Sequence, residues 1–481
     1  MRLALRGMLL PFAAGLLQVI AFEPFAYWLA GIACLAVLFS YWRDAAPRVA
    51  AWRGFAWGLG CFLGGVSWVY VSMHDVGGMP APVAALMTLL FCLYLACFPA
   101  LAGWLVARLG AAQSPLTLAA AWTLSEWLRG MIATGFPWLA LGYTQAGSPL
   151  AGYAPLLGVY GVSFAAAGLA ATLALCLASR RYLPLALGGL VLLAGVGLRT
   201  VHWTEPHGQA FTVSLLQGNV PQSLKWDPQR LSLSLETYAA LARKHPAQLI
   251  VLPETAIPLM FGEIPKDYLK QLTGNDHHVL IGAAVGVGAD GYANGAVMLT
   301  PQLQGSAYFK RHLVPFGEFV PAGFQWFLDL MRIPMSNFTA GPAQQEALVF
   351  NGQKIMPNIC YEDLFGEELI RDAAQSTLLI NLSNTAWFGD SLAQPQHLQI
   401  AQMRALETGR MMLRATNTGM TAAINPDGSV VAVLPAFTRS GLTVEAQGYT
   451  GLTPYVRIGN AGILGLVALI LGLAWRATRR A

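Results

Sequence analysis

Long apolar segments occupy most of the first 200 residues and constrain the fold more than any other feature of the chain. Seven of them precede residue 205, each near the roughly 20 residues that an α-helix needs to cross a bilayer. Only 11% of the 481 residues are charged, against about a quarter in soluble domains. Because a water-soluble fold cannot bury so much apolar surface, we expect lipid to form part of the protein's solvent. The segments lie at 5–21, 26–42, 54–73, 81–107, 115–134, 156–178 and 182–201, and an eighth lies at 458–475.

Positive charges in the connections indicate an orientation. Lys and Arg are enriched in the cytoplasmic loops of membrane proteins. Arginines precede the first segment, follow the second, fourth and sixth, and close the chain, whereas alternate connections contain Glu23 or the pair His74 and Asp75. The pattern predicts a multi-pass protein with both termini in the cytoplasm and residues 202–455 on the opposite side.

Two charged residues interrupt the fifth segment. Glu126 and Arg129 are three residues apart, so they share one face of a helix. Charges at membrane depth are costly and are usually functional or paired. We expect these two side chains to pair with each other.

From about residue 210 the pattern changes, and short Val, Ile and Leu runs alternate with amphipathic stretches. This alternation predicts an α/β domain in which sheets pack together with helices outside. The predicted domains are a bundle of about seven transmembrane helices at 1–205, the α/β domain at 206–450, and a C-terminal transmembrane helix with its tail at 451–481. Strands are expected at 211–217, 249–252, 278–284, 293–300, 354–359, 377–382, 421–424 and 430–434, and helices at 232–244, 366–375 and 394–414.

Three residues of the α/β domain could carry chemistry. Glu254 follows the strand candidate 249–252, Lys310 lies in the segment 308–318, and Cys360 follows the strand candidate 354–359. Taken singly, each is more often a surface carboxylate, a solvated charge or a small buried thiol. Together they supply what a nucleophilic thiol requires, which is a proton acceptor and a cation that favours the thiolate.

Other chemistries are less well supported. Cys360 is the one cysteine of the six outside the apolar segments, so we expect a free thiol and no disulfide framework. The histidines of the α/β domain leave a Cys-His mechanism open, but none lies in a recognisable protease motif. No histidine pair has the HExxH spacing of a zinc hydrolase. The net charge of +5 comes without a basic run interleaved with aromatic residues, so nucleic acid is not an expected partner.

The three segments together resemble the nitrilase superfamily. Glu254 in LPET, Lys310 in YFKRHLVPFGEFVP and Cys360 in ICYED are similar to its Glu-Lys-Cys triad, and the resemblance implies a nitrilase-like αββα sandwich. Seven predicted helices before such a domain and one after it are similar to the apolipoprotein N-acyltransferase family. Further similar motifs are EWLRG at 126–130, TGFPW at 134–138, QGNVPQ at 217–222 and NLSN at 381–384.

The resemblance implies transfer of an acyl chain from a phospholipid, typically phosphatidylethanolamine. The acceptor would be the α-amino group of the diacylglyceryl-modified N-terminal cysteine of an apolipoprotein. Cys360 would be the nucleophile, Glu254 the proton acceptor and Lys310 a stabiliser of the oxyanion. Supporting or substrate-contacting roles would fall to Glu318, Tyr361, Glu362 and Trp226. We expect no metal or cofactor, a monomer, and a bacterial inner membrane location with the α/β domain in the periplasm.

Two other functions remain open at this point. A membrane-tethered amidase of the nitrilase type would use the same three residues on small amides, although a soluble substrate needs no such anchor. A transporter or receptor would use the outer domain only to bind a ligand. In that case, substitution of Glu254, Lys310 or Cys360 would leave its function intact.

Overall fold

The structure is a computed structural model that describes residues 2–222, 231–288, 291–320 and 337–480. The chain divides into two compact units. The helical unit comprises Met1–Tyr70, Ala81–His202 and Thr453–Ala481, and the α/β unit comprises Val71–Pro80 and Trp203–Leu452.

The helical unit has a helix in each of the eight predicted apolar segments. Proline occupies the first turn of several of them, where its missing N–H has no helical partner in any case. Ser114 caps one of these helices by accepting a hydrogen bond from Thr117 N at 3.3 Å. The main helices are Arg2–Leu17, Trp28–Trp42, Pro47–Gly65, Ala81–Arg108, Pro115–Met131, Ala154–Ser179, Pro184–Leu198 and Ala461–Arg480.

Three described helical spans are long and apolar enough to cross a membrane, namely Ala81–Arg108, Pro149–Ser179 and Ala461–Arg480. A fourth is present if the bent pair Pro47–Gly65 and Val69–Val76 counts as one span. The structure thus contains a bundle of apolar helices, and the total of about eight crossings stays a prediction.

Among the interactions of the described residues, there is no ion pair between Glu126 and Arg129, although we expected one. Arg129 Nη1 instead donates to Phe136 O at 2.7 Å and to Trp138 O. Glu126 Oε1 accepts hydrogen bonds from Trp122 Nε1 at 2.9 Å and from Leu141 N at 2.8 Å. The irregular connection after the helix has backbone groups without helical partners, and these bind the Arg129 guanidinium and one oxygen of Glu126.

Within the described residues, the α/β unit contains two six-stranded sheets. Their strands are β1 Glu205–Gln217, β2 Leu249–Leu252, β3 His278–Val287, β4 Gly291–Leu299, β5 Gly305–Phe309, β6 Leu348–Phe350, β7 Gln353–Ile359, β8 Leu378–Ser383, β9 Met412–Thr416, β10 Ala422–Ile424, β11 Val430–Val433 and β12 Ser440–Thr450. Their orders are β12-β1-β2-β3-β4-β5 and β11-β10-β9-β8-β7-β6. Both sheets are mixed, since β1, β2 and β3 run parallel in one, β7, β8 and β9 run parallel in the other, and the remaining pairs are antiparallel.

Side-chain alternation along the strands builds two apolar layers. Leu249 and Val251 of β2 belong to a core shared with residues of the second sheet, such as Ile355. Ile250 and Leu252 point to the opposite face and pack with the helices Leu231–Lys244 and Lys266–Thr273. The helix Gly366–Ala373 contacts β7, and the helix Ala393–Thr408 contacts β9 and β10 of the second sheet. The predicted sandwich of two sheets between helices is therefore confirmed.

The strand predictions are confirmed in position, but the helix predicted at 394–414 is too long. It ends at Thr408 because Gly409 adopts the left-handed conformation with φ +61. Residues Met412–Thr416 then form β9, a fully buried strand of the second sheet. The sequence reasoning also missed β5, β6 and β12.

Candidate active site

Glu254 lies two residues beyond the buried strand β2 and is 7% exposed. The next residue, Thr255, has φ +44, in the left-handed region that non-glycine residues rarely adopt. Gly282 of β3 runs so close that a Cβ atom there would lie 2.6 Å from Glu254 Cα. A sharp turn and a tight backbone contact therefore fix the direction in which the Glu254 side chain leaves the sheet.

Each oxygen of the Glu254 carboxylate accepts a hydrogen bond. Asn294 Nδ2 donates to Oε1 at 2.7 Å, and the backbone N–H of Asn384 donates to Oε2 at 2.8 Å. The Lys310 ammonium lies 3.6 Å from Oε1. These contacts hold the carboxylate beside a cation in a buried setting.

Lys310 follows strand β5 and is 1% exposed. Its Nζ lies 2.9 Å from Glu318 Oε1 and 2.8 Å from Glu318 Oε2. Burial alone lowers the pKa of Lys310, but the neighbouring Glu318, Glu254 and Cys360 outweigh it and raise that pKa above its ordinary value. The side chain therefore stays an ammonium ion between two carboxylates.

Glu318 is placed in the site, as the resemblance implied. Besides binding Lys310, its Oε1 accepts a hydrogen bond from Asn294 Nδ2 at 2.9 Å, and its Oε2 accepts one from Val314 N at 2.8 Å. Asn294 thus bridges Glu254 and Glu318 with one amide group. The Glu318 carboxylate therefore binds Lys310 and also fixes its own loop through the bond from Val314 N.

Cys360 follows strand β7 and begins the 3-10 turn Cys360–Leu364. Its φ of +52 is unusual for a residue with a side chain, and such conformations cluster at functional sites. Burial and Glu254 raise the pKa of the Cys360 thiol, whereas Lys310 lowers it, and the net shift is upward. The Cys360 thiol therefore interacts electrostatically with both Glu254 and Lys310.

Glu362 joins the segment after β5 to the turn at Cys360. Its carboxylate accepts hydrogen bonds from Arg311 N and Ile359 N, both at 2.7 Å, and from Tyr308 Oη at 3.0 Å. It is 5% exposed. Glu362 therefore has a structural role, because both of its oxygens accept hydrogen bonds from the protein itself.

Of the other two supporting candidates, Tyr361 lies within the described residues and Trp226 does not. The Tyr361 ring is buried and packs against His312 and Phe365, with ring centroids 5.7 Å and 5.1 Å apart.

Several residues around the candidate site were missed at the sequence level. Asn294 came with no local signal, since it lies inside a strand. Asn384 belongs to the NLSN motif, which was recognised only as a resemblance. The buried residues Asp363, His397 and Arg414 contact one another, and Asp363 belongs to the turn Cys360–Leu364. Within the described ranges, no three His, Cys, Asp or Glu side chains converge as ligands for a metal ion.

Comparison with known proteins supports the same division of the chain. Residues 14–172 match the apolipoprotein N-acyltransferase N-terminal domain, and residues 212–455 match the carbon-nitrogen hydrolase family. An apolipoprotein N-acyltransferase of Nitrosomonas europaea is 47% identical over 473 residues, covering 96% of this chain and 95% of that protein. One of Ralstonia nicotianae is 48% identical over 493 residues, covering 98% of this chain and 94% of that protein.

Among solved structures, an amidase of Nesterenkonia AN1 from the nitrilase superfamily aligns with 54% of this chain and 97% of its own length. Its TM-score of 0.39 and identity of 17% are too low to support an inference about activity.

The apolar helices and the carbon-nitrogen hydrolase domain place the chain in a class of membrane proteins that carry a nitrilase-like domain. Because relatives above 40% identity extend over nearly its whole length, the chain belongs to the apolipoprotein N-acyltransferase family and is an acyltransferase.

Proposed function

We propose that the protein transfers an acyl chain from a phospholipid, with phosphatidylethanolamine as donor, to the α-amino group of the S-diacylglyceryl cysteine of an apolipoprotein. The observation that carries the proposal is the buried Lys310 ammonium, 3.6 Å from Glu254 and bonded to Glu318, together with the electrostatic interaction of the Cys360 thiol with Lys310 and Glu254. This arrangement supplies a thiol nucleophile with a base and a cation. The family of the chain supplies the nature of both substrates.

In the first half-reaction Glu254 accepts the Cys360 proton as the sulfur attacks the ester carbonyl of the phospholipid. The C–O bond to the glycerol backbone then breaks, and Glu254 returns the proton to the departing oxygen. The products are a Cys360 thioester and a lysophospholipid. A protonated thiol with a raised pKa suits this mechanism, since the proton leaves only as the C–S bond forms.

The oxyanion of each tetrahedral intermediate would be stabilised by the Lys310 ammonium and by the backbone N–H of Tyr361, which follows the nucleophile. Removal of one such donor costs about 3–4 kcal/mol of transition-state stabilisation. Glu318 keeps Lys310 in position through contacts of 2.8 Å and 2.9 Å.

In the second half-reaction the α-amino group of the lipoprotein attacks the thioester. Glu254 takes a proton from the attacking amine and delivers it to the Cys360 sulfur as the C–S bond breaks. The products are an amide and the free thiol, so the enzyme returns to its starting state. One nucleophile serving two substrates in turn predicts ping-pong kinetics.

Both substrates are lipids, so we place the protein in the bacterial inner membrane, with its termini cytoplasmic and its α/β domain periplasmic. The arginine distribution supports this orientation. Phe316, Trp387 and Phe388 are half-buried and are candidates for contact with acyl chains. We further propose that the protein acts as a monomer, without a metal or cofactor, and that residues 206–450 form the catalytic domain.

The test uses the purified full-length protein in micelles that contain phosphatidylethanolamine with an alkyne-tagged acyl chain. Mass spectrometry of the Cys360 peptide should find the acyl adduct in the wild-type protein and in a Cys97→Ala control, since Cys97 is an exposed thiol of the helical unit. Cys360→Ala should lack the adduct.

Addition of a diacylated lipopeptide should then discharge the thioester into an amide, with lysophospholipid equal in amount to the acyl chains transferred. Acylation that persists in Cys360→Ala would refute the nucleophile assignment. Release of ammonia from small amides, without transfer to the lipopeptide, would favour the amidase.

A further inference from the structure

A buried charged cluster that the proposed mechanism does not use includes one residue of the turn Cys360–Leu364. It consists of Asp363, His397 and Arg414, each at most 1% exposed. Arg414 Nη1 lies 2.8 Å from Asp363 Oδ2, and His397 Nε2 lies 2.7 Å from Asp363 Oδ1. Arg414 Nη2 lies 2.7 Å from His397 Nδ1. The three side chains therefore form a closed ring of contacts.

The chemistry of the cluster settles its protonation. Arginine can only donate hydrogen bonds, so His397 Nδ1 must be the acceptor. The proton of the imidazole is then on Nε2, where it is donated to Asp363. His397 is thus neutral, in one tautomer, between a fixed cation and a fixed anion. Burial and Arg414 lower the pKa of His397, which agrees with this state.

Arg414 also determines the orientation of the Asn381 amide. Arg414 Nη1 donates to Asn381 Oδ1 at 3.1 Å, and the Ser383 hydroxyl donates to the same oxygen at 2.6 Å. With its oxygen held on that side, the amide nitrogen points the other way. Asn381 Nδ2 then donates to Asn358 Oδ1 at 2.7 Å and to the carbonyl oxygen of Cys360 at 3.3 Å.

We propose that Asp363, His397, Arg414 and Asn381 are positioning residues that orient the peptide group between Cys360 and Tyr361 for oxyanion binding. A trans peptide is planar, so its C=O and N–H point in opposite directions. A Cys360 carbonyl held toward the cluster turns the Tyr361 N–H toward the opposite side of the peptide plane. The inference rests on the proposed function, because it assigns that N–H to the oxyanion of the acyl-transfer step.

This geometry also accounts for the conformation of Cys360. A φ of +52 is seldom adopted by a residue with a side chain, and it needs surrounding contacts that enforce it. The hydrogen bond from Asn381 reaches Cys360 from strand β8, 21 residues away in the chain. Asp363 and His397 hold Arg414 in place, and Arg414 in turn keeps the Asn381 side chain from rotating.

The sharpest test is Asn381→Asp, which replaces the donor facing the Cys360 carbonyl with an acceptor and leaves Arg414 beside a carboxylate. Asn358→Asp is the matched control, because Asn358 is buried in the same network and accepts the Asn381 bond without being the donor to Cys360.

Two reagents are compared on the Cys360 peptide of the full-length protein by mass spectrometry. A p-nitrophenyl ester acylates the thiol through an oxyanion, whereas iodoacetamide alkylates it by direct displacement without one. Asn381→Asp should slow acylation by about 100-fold, the lower end of the effect of losing an oxyanion donor, and should change alkylation by less than about 3-fold. Asn358→Asp should change neither rate by more than about 3-fold.

Ser383→Ala provides a milder second variant if Asn381→Asp does not fold. It removes one of the two donors that orient Asn381 and should slow acylation selectively, by several-fold. Equal loss with both reagents, or no loss with either, would overturn the proposal. Because the p-nitrophenyl ester is not a phospholipid, a wild-type protein that reacts with it but not with phosphatidylethanolamine would refute the proposed function and leave the positioning role to be judged on the two rates.

Discussion

Substitution of Glu362 by glutamine tests whether one buried carboxylate joins the Lys310 segment to the nucleophile turn. Oε1 accepts from Arg311 N at 2.7 Å, and Oε2 accepts from Ile359 N at 2.7 Å. A glutamine has the same shape but only one acceptor oxygen. One of the two backbone N–H groups would therefore face an NH₂ group and lose its partner.

The magnitude follows from these contacts. An unsatisfied buried donor costs about 1–3 kcal/mol, and a hydrogen bond to a charged acceptor contributes about 1.5–3 kcal/mol. We expect Glu362→Gln to lower the free energy of unfolding by about 3 kcal/mol. For a unit of this size, that change lowers the melting temperature by about 6–12 °C. Acylation of Cys360 should also slow, because Glu362 links the backbone next to Lys310 with the backbone next to Cys360 and the substitution breaks one of these two hydrogen bonds.

The assay is thermal unfolding of the purified protein in detergent, with acylation of Cys360 measured on the same preparation. Glu368→Gln is the matched control, since Glu368 is partly exposed and its carboxylate contacts His312 Nδ1 at 3.0 Å. The control should lower the melting temperature by no more than about 3 °C. If Glu362→Gln melted within about 2 °C of the wild-type protein, Glu362 would not hold the two segments together.

Two further predictions concern the residues around the nucleophile. Lys310→Met should raise the pKa of Cys360 further, because the ammonium lowers it. At pH 8 the rate of iodoacetamide alkylation should therefore fall, and a rate equal to or above that of the wild-type protein would contradict this. Gly282→Ala should cost about 1–3 kcal/mol and displace Glu254, because the new Cβ would lie 2.6 Å from Glu254 Cα. Gly286→Ala, in the same strand with nothing within 4 Å of its Cβ position, should be nearly neutral. Equal melting temperatures and acylation rates for the two alanine variants would refute the argument from close approach.

The sequence alone singled out Glu254 and Cys360 as candidates because each follows a segment that was predicted as a strand. Leu249–Leu252 is buried throughout and leads to Glu254, and Gln353–Ile359 leads to Cys360. The continuous apolar run Leu249–Leu252 is recognisable without a structure, because burial on both faces of a sheet requires apolar residues throughout. The eight apolar segments were found for a similar reason, although their number of membrane crossings stays a prediction.

Sequence reasoning was wrong where a local pattern continued past the end of an element. The helix predicted at 394–414 passed through Gly409, and the apolar residues beyond it belong to β9. Strands β5 and β6 are only five and three residues long. Runs this short do not establish a period.

Only the tertiary structure decided which buried polar atoms pair with one another. Asn294 reaches Glu254 across 40 residues, and Arg414 reaches Asp363 across 51. Glu126 and Arg129, three residues apart, bind backbone groups of the connection that follows their helix. Periodicity reports which face of an element is buried, whereas the register between strands and the path of loops determine the partners of each hydrogen bond. Those are properties of the packed chain and leave no mark on the neighbouring sequence.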